Sequence, residues 1–155
     1  MSTERVADET TDEQLRAGVV GVGSMGENHA RIYAELPRVD LADHDDEVAA
    51  RVAATYDTEA VPLETLLERC DVVTVAVPTH AHYETVSTCL AAGVHVLVEK
   101  PIAETVQQGR ELAEQARDAD LVLQVGHIER FNPAVQTVKE LIDDLDVISV
   151  AAERL

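Results

Sequence analysis

Gly21-Val22-Gly23-Ser24-Met25-Gly26 most constrains what this chain can become, because it joins an apolar run, Ala17 to Val22, to a stretch of helical character, Met25 to Leu36. In a G-x-G-x-x-G turn from strand to helix, Gly21 permits the tight turn, Gly23 lets the backbone approach a pyrophosphate, and Gly26 allows close helix packing. Ser24 and Met25 belong to the same cofactor-binding turn, where the helix start offers free N–H groups and the positive end of its dipole to an anion. Asp43 ends the next apolar run, 17 residues after Gly26, and the next arginine is Arg51. From that position a carboxylate accepts hydrogen bonds from the ribose hydroxyls of NAD and disfavours a 2′-phosphate, so NAD is favoured over NADP. Two other readings of the turn stand beside this one: glycines that serve only the turn, and a methyltransferase with a similar glycine-rich loop.

Further along, apolar runs at Val39 to Ala42, Val72 to Val77, Val94 to Val98, Leu121 to Val125 and Val147 to Ala152 alternate with helical stretches. The helices are expected at Asp46 to Tyr56, Leu63 to Arg69, His82 to Ala92, Thr105 to Asp118 and Pro133 to Leu141. Pro37 closes the first helix, Gly93 follows another, and Pro133 opens the last, the expected punctuation. Several apolar runs are β-branched throughout rather than alternating, as in strands buried on both faces of a parallel sheet. Strand and helix in alternation mean an α/β fold with a doubly wound parallel sheet, the Rossmann fold. Residues 1–14 are expected to be a loose acidic tail.

Composition narrows the function. At 155 residues the chain can bury about 70% of its unfolded surface without help from metal or disulfide. Cys70 and Cys89 stand 19 apart with no CxxC, so both are expected as reduced, packed thiols. Thirty acidic residues against 12 basic ones give a net charge of −18, a field that repels nucleic-acid phosphates and anionic lipid. No apolar run approaches the roughly 20 residues that span a bilayer, and the first residues carry no signal-peptide core, so the expected location is cytoplasmic. Dispersed acid, two lysines against ten arginines, and few aromatics resemble the proteins of salt-in halophiles; an acidic mesophilic protein is the alternative.

Four segments in order, VVGVGSMGENHARIY, VAVPTHAHYETV, HVLVEKPIAET and VGHIERFNPAV, resemble the glucose-fructose oxidoreductase / inositol dehydrogenase (Gfo/Idh/MocA) family over about residues 16–155. The last is most similar to members acting on nucleotide-linked or amino sugars. The resemblance implies an NAD(P)-dependent dehydrogenase that moves a hydride between a sugar-like secondary alcohol and NAD. It places Lys100, of the E-K-P run, as the catalytic residue beside the nicotinamide and the substrate hydroxyl. A partly desolvated ammonium there can hydrogen-bond a developing alkoxide and pass a proton. Without the family pattern, a surface lysine pairing with Glu99 would serve as well.

The same resemblance implies that Pro101 rigidifies the turn, through a Lys100–Pro101 bond that can be cis, and that Glu99 lies behind the cofactor ribose or orients Lys100. Val77, Pro78, Thr79 and His82 are expected at the carboxyl end of a strand near the cofactor, with His82 a hydrogen bonder at a helix start. His80 and His82 lie two apart with no third ligand in sequence, so no metal is expected. Gly126, His127, Arg130 and Phe131 would close the cleft, Arg130 reaching either cofactor and substrate or an acidic neighbour.

Two departures from the family pattern stand out. The second strand, ending Val39-Asp-Leu-Ala-Asp43, looks several residues short, so that Asp45 could substitute for Asp43. The family also has a second α/β domain with most substrate contacts, a catalytic histidine and the usual oligomer interface, whereas this sequence ends at VISVAAERL. Residues 15–145 are therefore expected as the dinucleotide-binding domain and 146–155 as the first strand of a truncated substrate domain. Alone, such a chain would turn over little or nothing, with a homo-oligomer or companion chain supplying the rest. A non-catalytic NAD-sensing regulatory module is the alternative function, and a degenerate domain that binds nothing is a third.

Overall fold

A computed structural model describes residues 15–36, 38–142, 146, 148, 149 and 151. The expected N-terminal tail, Pro37 and most of the expected Val147 to Ala152 strand lie outside the described residues. Two compact units result, the first ending at Val125 and the second beginning at Gly126.

In the first unit, β1 (Ala17–Val20), β2 (Val39–Ala42), β3 (Glu59–Ala60), β4 (Val72–Val75), β5 (His95–Val98) and β6 (Leu123–Val125) form one parallel sheet in the order β3-β2-β1-β4-β5-β6. Between them run α1 (Ser24–Tyr33), α2 (Asp46–Tyr56), α3 (Leu63–Arg69), α4 (Thr79–Ala91) and α5 (Val106–Asp118). This is the doubly wound order of the Rossmann fold, and the chain reverses its winding between β1 and β4.

Strand side chains alternate between two buried clusters. Val19 and Leu41 pack with Ala30 of α1 and Val52 of α2, while Val20, Val73 and Val75 pack with Leu66 of α3, Val86 of α4 and Leu112 of α5. Helices therefore cover both faces of the sheet, which is why the strands read as continuous apolar runs. At Gly18 a Cβ would stand 2.9 Å from Leu66 Cδ2, so α3 can seat against β1 only because that side chain is missing.

Strand β2 has four residues, as β1 and β4 do. All four residues of β2 pair in register with β1, Val39 with Ala17 through Ala42 with Val20, and all four are buried. The second unit contains a 3-10 turn, Ile128–Phe131, and α6, Pro133–Ile142.

Candidate functional site

Where β1 and β4 part company at their carboxyl ends, the loops that follow them diverge and leave a crevice. Gly21 has φ +85°, and a Cβ on it would meet Val77 Cγ1 at 2.8 Å and the Val77 nitrogen at 2.9 Å. Only glycine satisfies both the left-handed backbone and that approach. A Cβ on Gly26 would collide with the Gly21 carbonyl oxygen, so Gly26 lets α1 start tight against the loop.

Gly23 differs from both. Its φ of −66° suits any residue, and a Cβ there would meet no protein atom within 4 Å. Nothing in the fold demands glycine at this position, yet it lines a cleft of about 800 Å³ together with Gly21, Ser24, Met25, Asp43, Val77 and Pro78. Free space in front of a glycine, at a helix start whose cap residue offers no side-chain bond, fits a cofactor pyrophosphate that needs close backbone approach.

Asp43 sits across this cleft with its side chain 8% exposed. One carboxylate oxygen accepts the Val22 N–H at 2.7 Å; the other accepts the Asp45 N–H at 3.1 Å and lies 2.8 Å from His44 Nδ1. Asp43 thus braces the glycine loop and lines the cleft. Asp45 is engaged differently, since its Oδ1 accepts the Glu47 and Val48 N–H groups at 3.0 and 3.2 Å and caps α2. Both aspartates line the cleft, Asp43 with both oxygens engaged and Asp45 with Oδ1 in the cap.

On the other side, Val77 and Pro78 line the cleft, and Thr79 opens α4. His80 lines the cleft too, although the motif drew attention to it only as a metal ligand. His82 is buried instead, 1% exposed, with Nδ1 2.7 Å from the Pro101 carbonyl oxygen and Nε2 2.9 Å from that of Val77. It ties the loop after β4 to the loop after β5, and both ring nitrogens are occupied by backbone.

Val98 of β5 is in register with Val75 of β4, so Lys100 and Val77 each follow that pair by two residues, beyond the carboxyl edge of the sheet. The Glu99 N–H donates to the Val75 carbonyl at 3.0 Å and extends the ladder by one bond. Glu99 Oε1 lies 2.9 Å from His29 Nε2 of α1, so its partner is this histidine and not Lys100. Lys100 is exposed, and its bond to Pro101 is cis. His29 escaped the sequence reading; its place one helical turn beyond Gly26, on the same face of α1, was the available signal.

Arg130 belongs to the second unit, exposed on the 3-10 turn, where its carbonyl accepts from Gln136 Nε2 at 3.4 Å.

Residues 15–127 match the model of an oxidoreductase family described as an NAD-binding Rossmann fold, Gfo/Idh/MocA. UDP-N-acetylglucosamine 3-dehydrogenase of Acidithiobacillus ferrooxidans is 37% identical over 128 residues, 81% of this chain and 41% of that protein. D-glucoside 3-dehydrogenase of Escherichia coli is 34% identical over 140 residues, 85% of this chain and 40% of that one. Among solved structures, the Acidithiobacillus enzyme superposes with a TM-score of 0.78 at 36% identity, covering 83% of this chain and 43% of that one. GenD2 from gentamicin A biosynthesis, in complex with NAD, superposes with a TM-score of 0.78 at 30% identity, covering 93% and 42%. The chain spans about two fifths of the length of the curated relatives it matches. It belongs to the Gfo/Idh/MocA family of oxidoreductases, as an NAD-binding domain of the Rossmann fold.

Proposed function

We propose that this chain is the cofactor half of a dehydrogenase acting on a secondary hydroxyl of a sugar, nucleotide-linked sugars included. One observation carries the reading: the exposed Lys100 and the glycine-loop cleft open at the same carboxyl edge of the sheet. The names of the relatives, which are dehydrogenases of a UDP-sugar and of glucosides, support the substrate class and favour an enzyme over a non-catalytic NAD sensor.

NAD, when bound, supplies the hydride acceptor. The residues expected to hold it are Gly21, Gly23, Ser24, Met25 and Gly26 at the pyrophosphate, and Asp43 at the ribose, with Val77, Pro78 and Thr79 along the opposite wall. Lys100 hydrogen-bonds the reacting hydroxyl and carries its proton as the carbonyl forms, with the roles reversed in the opposite direction. Glu99, His82 and Pro101 fix the backbone on either side of that lysine. A carboxylate at Asp43 repels a 2′-phosphate, which supports NAD over NADP.

The same reading assigns residues 15–145 to the dinucleotide-binding domain. A homo-oligomer or companion chain completes the site. A net charge of −18 supports work in molar salt, and the two free, buried cysteines support a reducing, cytoplasmic setting.

The test is a pair of assays on the chain and its Lys100→Met variant, NADH binding on one hand and NAD reduction with UDP-N-acetylglucosamine or with glucosides on the other. Binding that survives the substitution, with reduction appearing only when the second domain is supplied and never with Lys100→Met, supports the reading. Steady NAD reduction by the chain alone, or by the variant, overturns it.

A further inference from the structure

His29 lies outside the cleft, yet it makes the one side-chain hydrogen bond, among those of the described residues, that connects the cofactor-binding helix to the segment carrying Lys100. Its Nε2 stands 2.9 Å from Glu99 Oε1, across 70 residues of sequence, and the two side chains are 18% and 13% exposed. Helix α1 is itself fixed to the sheet four residues later, where the Tyr33 hydroxyl meets Thr74 Oγ1 of β4 at 2.8 Å. Thr74 is fully buried, so this anchor is well inside the core.

Segment 99–101 is therefore held at three points. The Glu99 N–H is on Val75, its carboxylate is on His29, and the Pro101 carbonyl is on His82. Between these anchors Lys100 is exposed and enters none of the ion pairs among the described residues. A glutamate directly before a lysine is a nearby counter-charge, and an ion pair between them would compete with a substrate hydroxyl for the ammonium. Here the carboxylate is occupied elsewhere.

We infer that His29 is a positioning residue: by holding the Glu99 carboxylate against α1, it keeps Lys100 unpaired and directed to the reacting hydroxyl. This rests on the reading of Lys100 as the residue that handles the substrate proton. The histidine acts through Glu99 and touches neither cofactor nor substrate. Because α1 also forms the wall of the cleft with Ser24 and Met25, one helix sets both the pyrophosphate turn and the lysine.

The composition makes this directly measurable, because Lys100 and Lys139 are the chain's two lysines. Reductive methylation with carbon-13 formaldehyde keeps the positive charge and gives one dimethyl resonance for each lysine, beside that of the α-amino group, with Lys139 serving as the internal control. The spectra are recorded in molar KCl without cofactor for the wild type, His29→Leu, His29→Asn and His29→Gln, with melting temperature reporting the fold. The Lys100 resonance should move in His29→Leu and in His29→Asn, whose amide is too short to reach Glu99. It should return in His29→Gln, whose amide still donates to that carboxylate, and Lys139 should not move in any of them. In a Glu99→Ala background, His29→Leu should add no further shift, because the route through the carboxylate is gone.

A Lys100 resonance unchanged by both His29→Leu and His29→Asn overturns the inference. So does an equal His29→Leu shift with and without Glu99. A parallel NADH titration of the wild type tests the dehydrogenase reading separately: its failure would remove the cofactor role while the lysine spectra still decide whether His29 sets Lys100.

Discussion

The Arg16 guanidinium holds the Asp40 carboxylate with two bonds, Nε to Oδ2 at 2.7 Å and Nη2 to Oδ1 at 2.9 Å, and Asp40 is fully buried within β2. This pair lies at the amino edge of the sheet, where Asp40 pairs with Gly18, while the cofactor cleft opens at the opposite edge. Removing the cation leaves a buried carboxylate uncompensated, apart from Arg69 at 3.9 Å. Arg16→Ala should therefore lower stability by about 3 kcal/mol, the lower end for breaking a buried pair because Arg16 is partly exposed. NADH affinity should be unchanged. Urea unfolding in molar KCl measures the first and a binding titration the second; a loss under about 1 kcal/mol would contradict the burial.

The glycines of the turn separate fold from binding. Gly26→Ala puts a methyl group into the Gly21 carbonyl and should destabilise the chain by about 3 kcal/mol or more. Gly23→Ala meets nothing within 4 Å, so its melting temperature should stay within the effect of about 0.5 kcal/mol typical of neutral sites. NADH affinity should nevertheless fall about tenfold or more, a loss of about 1.4 kcal/mol. Equal affinity in Gly23→Ala would mean that no ligand approaches that backbone.

Much of this arrangement was legible in sequence. Asp46 to Tyr56 and Leu63 to Arg69 form helices over the expected residues, because Asp45 supplies a cap and Pro62 a fixed start. The helix expected from His82 begins at Thr79 instead, since Pro78 serves as its cap residue and leaves Thr79 to Ala81 free to join. Strand β3, two exposed residues at the sheet edge, offers no apolar run to notice. Pairings such as His29 with Glu99 and Arg16 with Asp40 were beyond reach for a different reason: they depend on where packing places groups 70 and 24 residues apart. Strand β2 pairs with its neighbour β1 over all four residues.

Alkaline pH should weaken the fold through its thiols. Burial pushes Cys70 and Cys89 from an ordinary value of 9.0 up to about 12, with the Asp40 carboxylate adding to the effect at Cys70. Between pH 9 and pH 12 the unfolded chain releases both protons while the folded chain keeps them. The folded state then binds more protons, so stability falls as pH rises, by up to about 1.4 kcal/mol per pH unit for each thiol. Melting temperatures at pH 8 and pH 10.5 should differ, and Cys89→Ala should reduce the difference. A pH-independent melting temperature over that range would contradict the burial of the thiols.

Salt should stabilise the chain. With a net charge of −18, self-repulsion is screened over about 10 Å in 0.1 M salt and about 3 Å in 1 M. The melting temperature should rise by several degrees between 0.1 M and molar KCl, and more than it does in an osmotically matched sugar. An unchanged value would remove the case for a high-salt setting.

The cofactor role is tested most directly by a titration of the purified chain with NADH and NADPH in molar KCl, following fluorescence and melting temperature together. NADH should bind saturably, stabilising the chain by about 2.7 kcal/mol at a concentration one hundred times the Kd. NADPH should bind more weakly, and Asp43→Asn should lose that preference. A folded chain that binds neither nucleotide, or binds NADPH as tightly as NADH, would contradict the assignment of this cleft to NAD.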